Sequence, residues 1–441
     1  MKIIIIYIAL VLFTFISVFP QNELNKTQDF IGAKERLEII DTIIKKLNDF
    51  YVFPEIAKKY EKHLRNQLKN NAYDSIFNLS DFTSKLTQDL LFIYPDRHLE
   101  ILEYNEKRDF VQTEETFEDW WKSYVKGAKF RNYGFNELEI LPGNIGFLDL
   151  KFMERFELCE KTADAAMEFL SNSNAIIIDI RNNPGGRLLI VQYLMSYFME
   201  GGIHYSTEIA RLKGTTSEWR TLEEIQGKRM LNTPLYLLTS YGTGSGAETF
   251  AYTLKHFERA ILVGDTTAGA AHKTHDHAFP KLGIMLAIPD GNSVNQITGT
   301  DWEGVGVIPH IAVSSKNALD VAYEMALDSV MKTEEDNDIY FKLDWVKKAI
   351  AIKNKPLVLD ENMMEQYVGK YGARRINLKE GKLYYHRIDR PEYELIPLEN
   401  DLFILDGLNY FRITFKRDEV GDIIQLVGLY DDGTTSISIR E

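Results

Sequence analysis

Apolar residues between positions 30 and 103 recur three or four positions apart, the spacing that lines them along one face of a helix. This pattern predicts a helical N-terminal domain over residues 28–105. The stretch 104–140 is rich in aromatic residues but follows no such rule, and we expect an irregular connecting arm there. The residues that carry the helical pattern are Leu37, Ile40, Ile43, Ile44, Leu47, Leu64, Leu68, Phe82, Leu86, Leu90 and Leu91.

From residue 145 onward the pattern changes to continuous apolar runs of strand length that alternate with helical segments. Such runs are typical of parallel strands that are buried on both faces. We therefore predict an α/β core with right-handed crossovers over residues 106–335, the arm included. The strand-like runs are IGFLDL at 145–150, AIIIDI at 175–180, LYLLTS at 235–240 and AILVGD at 260–265, and the helical ones lie near 160–171, 188–199, 246–257 and 316–331.

The pattern changes once more after the core. An acidic segment, TEEDND, and the sequence KNKP at 353–356 mark a boundary, and we expect a linker helix over residues 336–356. Beyond it, short alternating runs are separated by turn-forming sequences such as KEGK, DRPE and DDGT. The sequence therefore predicts a small all-β domain over residues 357–441.

Composition and the N-terminus bear on partners and location. The net charge is −14 with no basic patch, which argues against nucleic acid as a partner. Lys2 precedes an apolar run from Ile3 to Phe19, the pattern of a signal peptide over residues 1–20. A retained membrane anchor is the alternative, but no second hydrophobic segment follows, so cleavage without stable membrane insertion is favoured. The single cysteine, Cys159, allows no intrachain disulfide, which for an exported protein suits the bacterial periplasm.

Two strand–turn–helix junctions carry the candidate chemistry. In LYLLTSYGTGSGAETF, Ser245 follows a turn and opens a helical run, so its hydroxyl is exposed beside the unpaired N–H of Gly246. In AIIIDIRNNPGGRLLIVQYL, Gly185 and Gly186 form the corresponding turn. Acyl transfer needs a reachable nucleophile and fixed donors for the oxyanion, and the two junctions together supply both.

These residues resemble the C-terminal-processing and tricorn-core serine peptidase family. IDIRNNPGG, TGSGAETFAYTLK, VGDTTAGAAH and WEGVGVIP match its ordered motifs, and YVFPEIAKKY and YPDRHLEI resemble its bacterial branch related to the repeats of interphotoreceptor retinoid-binding protein. The resemblance implies a crotonase-like or ClpP-like βα superhelical core, hydrolysis of peptide or protein substrates, and no cofactor or metal. No PDZ-like insertion is visible before the core.

The family uses two catalytic arrangements, and the residues distinguish them. A serine–lysine dyad would require lysine at Ala270, whereas the nearest lysine is Lys273. The tricorn-like arrangement implies Ser245 as nucleophile, His98 as general base and Glu303 as the orienting carboxylate. The same resemblance implies that the oxyanion hole is formed by the N–H of Gly246 with that of Gly185 or Gly186.

Each assignment has a structural alternative. Ser245 and Glu248 are spaced as in a helix capping box, and His98 could be an ordinary loop histidine. His272, His275 and His277 are close enough in sequence for zinc, but no further ligand is clearly arranged, so we predict no metal. At the level of function, the alternatives are a non-catalytic protein that binds an apolar ligand on the same fold, and an esterase.

Overall fold

The structure is a computed structural model that describes residues 30–104, 114–211, 213–354 and 357–441. The predicted signal peptide at 1–20 lies outside these residues. The predicted fold class is confirmed: helices come first, an α/β core follows, and an all-β unit ends the chain. No helix in the described ranges has the length and apolar character needed to cross a membrane.

Three helices come first among the described residues, and they pack on a small antiparallel sheet. Their apolar faces share one core with Ile284, Leu286 and Ile288 of strand β10. The sheet has the order β1-β10-β5-β6, with β9 also paired to β10, so the N-terminal segment contributes β1 to a sheet formed mainly by later residues. The elements are α1 (Ala33–Phe50), α2 (Pro54–Lys69), α3 (Leu79–Ile93), β1 (Glu100–Glu103), β5 (His204–Ala210), β6 (Thr215–Arg220), β9 (Lys273–Phe279) and β10 (Ile284–Asn295).

The expectation of an irregular arm over residues 104–140 is wrong where the structure describes that stretch. Helix α4 spans Glu114–Phe130, and strand β2 spans Phe135–Leu141. The aromatic residues of this stretch recur three and four positions apart, which places them on one helical face where their rings lie against one another. The spacing that identifies a helix was therefore present in Phe117, Trp120, Trp121 and Tyr124.

The α/β core is a six-stranded sheet of order β11-β8-β7-β4-β3-β2, parallel except for the edge strand β2. Its two faces are covered by different helices, α5 to α7 on one and α8 and α9 on the other, which explains why the strands read as unbroken apolar runs. The remaining elements are β3 (Ile145–Leu150), α5 (Phe156–Leu170), β4 (Ala175–Asp179), α6 (Leu188–Ser196), β7 (Leu235–Thr239), α7 (Gly246–His256), β8 (Ile261–Gly264), β11 (Ile311–Ala312), α8 (Ala318–Met331) and α9 (Asn337–Asn354).

Strand order positions the two junctions that the sequence singled out. Strands β4 and β7 are parallel neighbours, with Asp179 opposite Leu238 in the register. Their carboxyl ends therefore lie side by side at one edge of the sheet, where ligands of open α/β sheets bind. The glycine turn after β4 and the Ser245 turn after β7 meet at this edge.

The C-terminal unit is a closed antiparallel barrel of eight strands in sequence order. A bridge between Tyr371 on the first strand and Arg440 after the last closes it. Trp345 of α9 fastens the barrel to the core, since its indole N–H donates to the Asn409 carbonyl at 2.8 Å. The elements are α10 (Glu361–Tyr367), β12 (Gly369–Tyr371), β13 (Arg374–Lys379), β14 (Lys382–Arg387), β15 (Tyr393–Glu399), β16 (Leu402–Leu405), β17 (Leu408–Arg417), β18 (Ile423–Tyr430) and β19 (Thr435–Ile439).

Candidate active site

Ser245 occupies a strained backbone position at the start of α7. Its φ of 46° and ψ of −117° lie outside the regions that residues with side chains normally occupy. Strain of this kind persists only where surrounding contacts enforce it, and it is characteristic of functional turns. The sharp turn leaves the side chain half-exposed at the edge of the sheet, as the sequence predicted.

Glu248 is the residue that enforces the turn. Its buried carboxylate accepts the Ser245 N–H at 2.9 Å, the Gly269 N–H at 2.7 Å and the Ala270 N–H at 2.9 Å. The Thr267 hydroxyl donates to the same group. Burial raises the pKa of Glu248, and these four hydrogen bonds oppose the rise. Glu248 therefore holds the loop 267–270 against the serine turn, beyond the capping role that its spacing suggests.

The glycine turn lies directly against Ser245. Gly185 and Gly186 have φ values of +105° and +135°, and a Cβ at Gly186 would sit 2.0 Å from the Met153 carbonyl oxygen. The Gly185 N–H donates to the Asn183 side chain at 2.9 Å and is therefore engaged. Within the described ranges the N–H groups of Gly186 and Gly246 have no protein acceptor. They are close together, since a Cβ on Gly246 would lie 3.2 Å from the Gly186 nitrogen.

His98 and Glu303, which are far apart in sequence, meet at the same edge. The His98 Nδ1 lies 3.8 Å from Glu303 Oε2, and this buried Nδ1 has no hydrogen-bond partner among the residues the structure describes. The Glu303 side chain is 1 % exposed and accepts backbone N–H groups from Arg97 at 2.9 Å and Ala271 at 2.6 Å. Burial favours a raised pKa for Glu303, but His98, His272 and the backbone donors outweigh it and lower the pKa. The carboxylate is thus ionised and faces His98.

A second histidine, which the sequence analysis weighed as a zinc ligand, lies next to Glu303. His272 Nδ1 is 2.7 Å from Asp96 Oδ2 and 3.7 Å from Glu303 Oε2, and its Nε2 is 3.7 Å from Asp301 Oδ2. Burial acts to lower the pKa of His272, but Asp301, Asp96 and Glu303 together raise it to about 10. The buried imidazolium therefore balances the surrounding carboxylates. Neither spacing nor periodicity along the chain indicated the pairing of His272 with Asp96, which are 176 positions apart.

The three histidines of AHKTHDH do not converge on one point. His275 Nδ1 is 2.7 Å from Asp290, and the ring of His277 stacks on Phe50 with centroids 4.9 Å apart. Among the described residues, a group with the spacing of a metal site is formed by Asp96, His272 and Glu303. In this group the His272 Nδ1 is already hydrogen-bonded to Asp96, so the two side chains form an ion pair with each other.

A cleft of about 490 Å³ opens over this edge of the sheet, and Ser245, His98, Gly186 and Gly246 all line it. Lys273 also lines the cleft, but its ammonium group lies 2.9 Å from Glu208, and the serine–lysine position is occupied by Ala270. The remaining walls are partly apolar and partly charged, with Phe156, Leu188, Leu189 and Trp219 beside Arg155, Glu157 and Arg187.

Contacts outside the cleft hold its parts in place. The Arg97 guanidinium donates to the Tyr241 hydroxyl and lies 4.9 Å from the ring, which ties the His98 loop to the turn before Ser245. Arg181 Nε donates to Asp179 Oδ1 at 2.9 Å and so braces the glycine turn. His310 accepts the Leu262 N–H at 3.0 Å, a structural contact between β8 and the segment before β11.

The strained Ser245 turn, the N–H groups of Gly186 and Gly246, and His98 border one cleft, and Glu303 lies beside His98. Comparison with family models identifies the class of protein. The model described as peptidase family S41 matches residues 144–313, and the one described as the N-terminal domain of peptidase S41 in eukaryotic IRBP matches residues 22–126. The chain belongs to peptidase family S41, and the resemblance found in the sequence is confirmed.

Curated relatives match over a limited part of the chain. A probable CtpA-like serine protease of Staphylococcus epidermidis is 24 % identical over 179 residues, 39 % of this chain and 34 % of the relative. The carboxy-terminal processing protease CtpB of Bacillus subtilis is 26 % identical over 172 residues, 37 % and 32 % of the two chains. This chain thus spans about a third of the length of these relatives. The photosystem II D1 C-terminal processing protease is similar with a TM-score of 0.42 and 14 % identity, covering 65 % of this chain and 94 % of that chain.

Proposed function

We propose that this chain is an exported serine peptidase of the tricorn-core type, without a PDZ domain, that hydrolyses peptide bonds in peptide or protein substrates. The observation that carries the proposal is the serine turn itself. Ser245 is held in a strained conformation beside two unoccupied backbone N–H groups, and all three face a cleft that His98 also lines. An ordinary helix cap would require neither the strain nor the second glycine turn.

In this mechanism Ser245 Oγ attacks the scissile carbonyl carbon while His98 takes the hydroxyl proton. The carbonyl oxygen becomes an oxyanion that accepts hydrogen bonds from the N–H groups of Gly186 and Gly246. His98 then gives the proton to the leaving amine, the C–N bond breaks, and an acyl ester remains on Ser245. Water, deprotonated by the same imidazole, hydrolyses the ester and regenerates the serine. The described steps require no cofactor.

Glu303 has the role of orienting His98. Its carboxylate faces Nδ1 at 3.8 Å, which directs the other ring nitrogen, Nε2, to the serine proton. The distance exceeds that of a hydrogen bond, but catalytic hydrogen bonds are often long without substrate and shorten when it binds. The buried Nδ1 without a partner supports this closure, because a buried polar atom is stabilised by gaining an acceptor.

A fluorophosphonate probe tests the nucleophile directly, since it reacts covalently with activated serines. We expect the wild-type protein to be labelled once, at Ser245, and Ser245→Ala to lose both labelling and peptide hydrolysis, the latter on the order of 10³-fold or more. Ser293→Ala is the matched control, because Ser293 lines the same cleft but bonds to Ser206 at 2.9 Å. Labelling that survives in Ser245→Ala, or its absence in folded wild-type protein, would overturn the proposal.

A further inference from the structure

The C-terminal barrel has a pocket at one open end that no catalytic step uses. Residues of β14, β15, β17 and β18, together with the turn between β14 and β15, line a cavity of about 270 Å³. An eight-stranded barrel fills its interior with side chains and can hold one small ligand at its mouth. The lining residues are Tyr385, Arg387, Arg390, Pro391, Tyr393, Leu408, Tyr410, Phe411 and Tyr430.

Aromatic rings form the floor and walls of this pocket. Phe411 lies 4.9 Å from Tyr430 and 5.9 Å from Tyr385, measured between ring centroids. Phe411 can lie this deep because Gly428, two residues before the cross-strand partner Tyr430, leaves room for the ring: a Cβ at Gly428 would come within 2.7 Å of it. Tyr410 is 53 % exposed and also lines the cavity. Because rings at these distances pack on one another, they form a continuous aromatic wall, against which a flat or cyclic ligand can lie.

The charge of the pocket is one-sided. Arg387 and Arg390 line it, and no acidic residue does. Neither guanidinium forms a hydrogen bond or an ion pair within the described ranges, although Arg387 interacts electrostatically with Tyr385. Two other arginines of the barrel are engaged: Arg417 bonds Asp401 at 2.8 Å, and Arg374 bonds Ser436 at 2.6 Å. Two free guanidinium groups in a protein of net charge −14 present a local positive field that favours an anion.

We propose that the mouth of the C-terminal barrel binds a small ligand that combines one ring with a carboxylate group. The ring lies against Phe411, Tyr430 and Tyr410, and the carboxylate pairs with Arg387 and Arg390 at the rim. The cavity holds one ring rather than a chain of them. An aromatic acid and a uronic acid share this chemistry, and the binding measurements separate these two sources. The site is independent of the cleft and does not rest on the peptidase activity.

The test uses the full-length Ser245→Ala protein, so that no ligand can be turned over. Isothermal titration would compare phenylacetate with phenylacetamide, and glucuronate with glucose, at millimolar concentrations. We expect at least one of the two acids to bind at least about tenfold more tightly than its neutral counterpart, since hydrogen bonds to charged groups are the stronger kind. Binding of phenylacetate would identify the ligand as an aromatic acid, and binding of glucuronate would identify it as a uronic acid.

Variants then locate the site. Arg387→Gln and Arg390→Gln should each weaken binding of that acid by about tenfold. Arg375→Gln is the matched control, because Arg375 is exposed on β13 but does not line the pocket. Tyr410→Ala should weaken the binding of the acid and of its neutral counterpart to the same extent. Absence of binding by both acids, equal binding of acid and neutral compound, or an equal loss in Arg375→Gln would each overturn the proposal. All four substitutions are on the surface, and circular dichroism confirms folding.

Discussion

At the scale of single residues, Glu303 contacts several distant segments of the chain, which the motif around it does not indicate. It accepts N–H groups from Arg97 and Ala271, which belong to different parts of the chain, and faces the rings of His98 and His272. Its lowered pKa means that the carboxylate keeps its charge at and well below neutral pH. An ionised carboxylate at this point can both place His98 and stabilise its protonated form.

Glu303→Gln is expected to lower kcat by about 10²-fold or more with little change in KM, because the amide keeps the shape but not the charge that orients His98. Steady-state kinetics on a fluorogenic peptide measures both constants. Glu157→Gln provides the control, since Glu157 also lines the cleft but pairs with Arg155 at 3.6 Å. A raised KM with an unchanged kcat would assign Glu303 to substrate binding instead.

His272 predicts a dependence of stability on pH. Its folded pKa of about 10 lies above the usual value of 6.5, so the folded state binds the proton more tightly than the unfolded state does. The stabilisation is complete below pH 6.5 and is lost as the pH rises toward 10. We expect the free energy of unfolding to fall across this window in the wild type, and to fall less in His272→Gln. Urea titrations at several pH values measure this; equal slopes would contradict it.

At the scale of elements, the site depends on two turns at the ends of adjacent strands. β4 and β7 deliver them to one edge of the sheet, and the glycine turn bridges back to Met153, whose N–H donates to the Gly185 carbonyl at 2.8 Å. Backbone atoms pack so closely there that no side chain can be accommodated. The turn is consequently a structural requirement, in addition to its proposed role as a source of oxyanion donors.

Gly186→Ala should destabilise the fold by more than the strain of its φ alone. The added Cβ would sit 2.0 Å from the Met153 carbonyl oxygen at a φ of +135°. Strain of the backbone costs about 1–3 kcal/mol, and the overlap adds to it. Gly214→Ala measures backbone strain without steric overlap, because Gly214 has a φ of +60° and open space around it. Thermal melts of both variants should show the larger decrease in Tm for Gly186→Ala; equal decreases would show that the turn relaxes.

At the scale of the whole molecule, the N-terminal helices are integral to the cleft while the barrel stands apart from it. Strand β1 pairs with β10 from Glu100 to Glu103, immediately after His98. The barrel contacts the core through Trp345, whose ring lies 3.8 Å from the Arg412 guanidinium. Described residues of the barrel do not line the cleft.

Deleting residues 357–441 should therefore leave hydrolysis of short peptides measurable. We expect its rate to stay within about tenfold of that of the intact protein, because only contacts remote from the cleft are lost. The truncated protein should also have a lower Tm, because the deletion exposes the Trp345 side chain to solvent. Peptide kinetics and a thermal melt measure the two effects. Complete loss of activity in a truncated protein with native circular dichroism would mean that the barrel shapes the substrate site.

The sequence by itself determined the parts of this protein that depend on neighbouring residues. Apolar runs defined β3, β4, β7 and β8, and glycine with serine after them defined both turns, because strand burial and turn chemistry are local properties. The residues Ser245, His98 and Glu303 were selected by resemblance to a family, and their roles remain predictions.

Only the tertiary structure decided which distant residues meet. Arg97 and Glu303 are hydrogen-bonded although 206 positions apart, and Asp96 pairs with His272 over 176. It also decided that the Gly185 N–H is engaged while the Gly186 N–H has no acceptor among the described residues, and that the terminal strands close into a barrel at Tyr371. Such contacts arise from the packing of whole elements, so neither periodicity nor spacing along one chain specifies them.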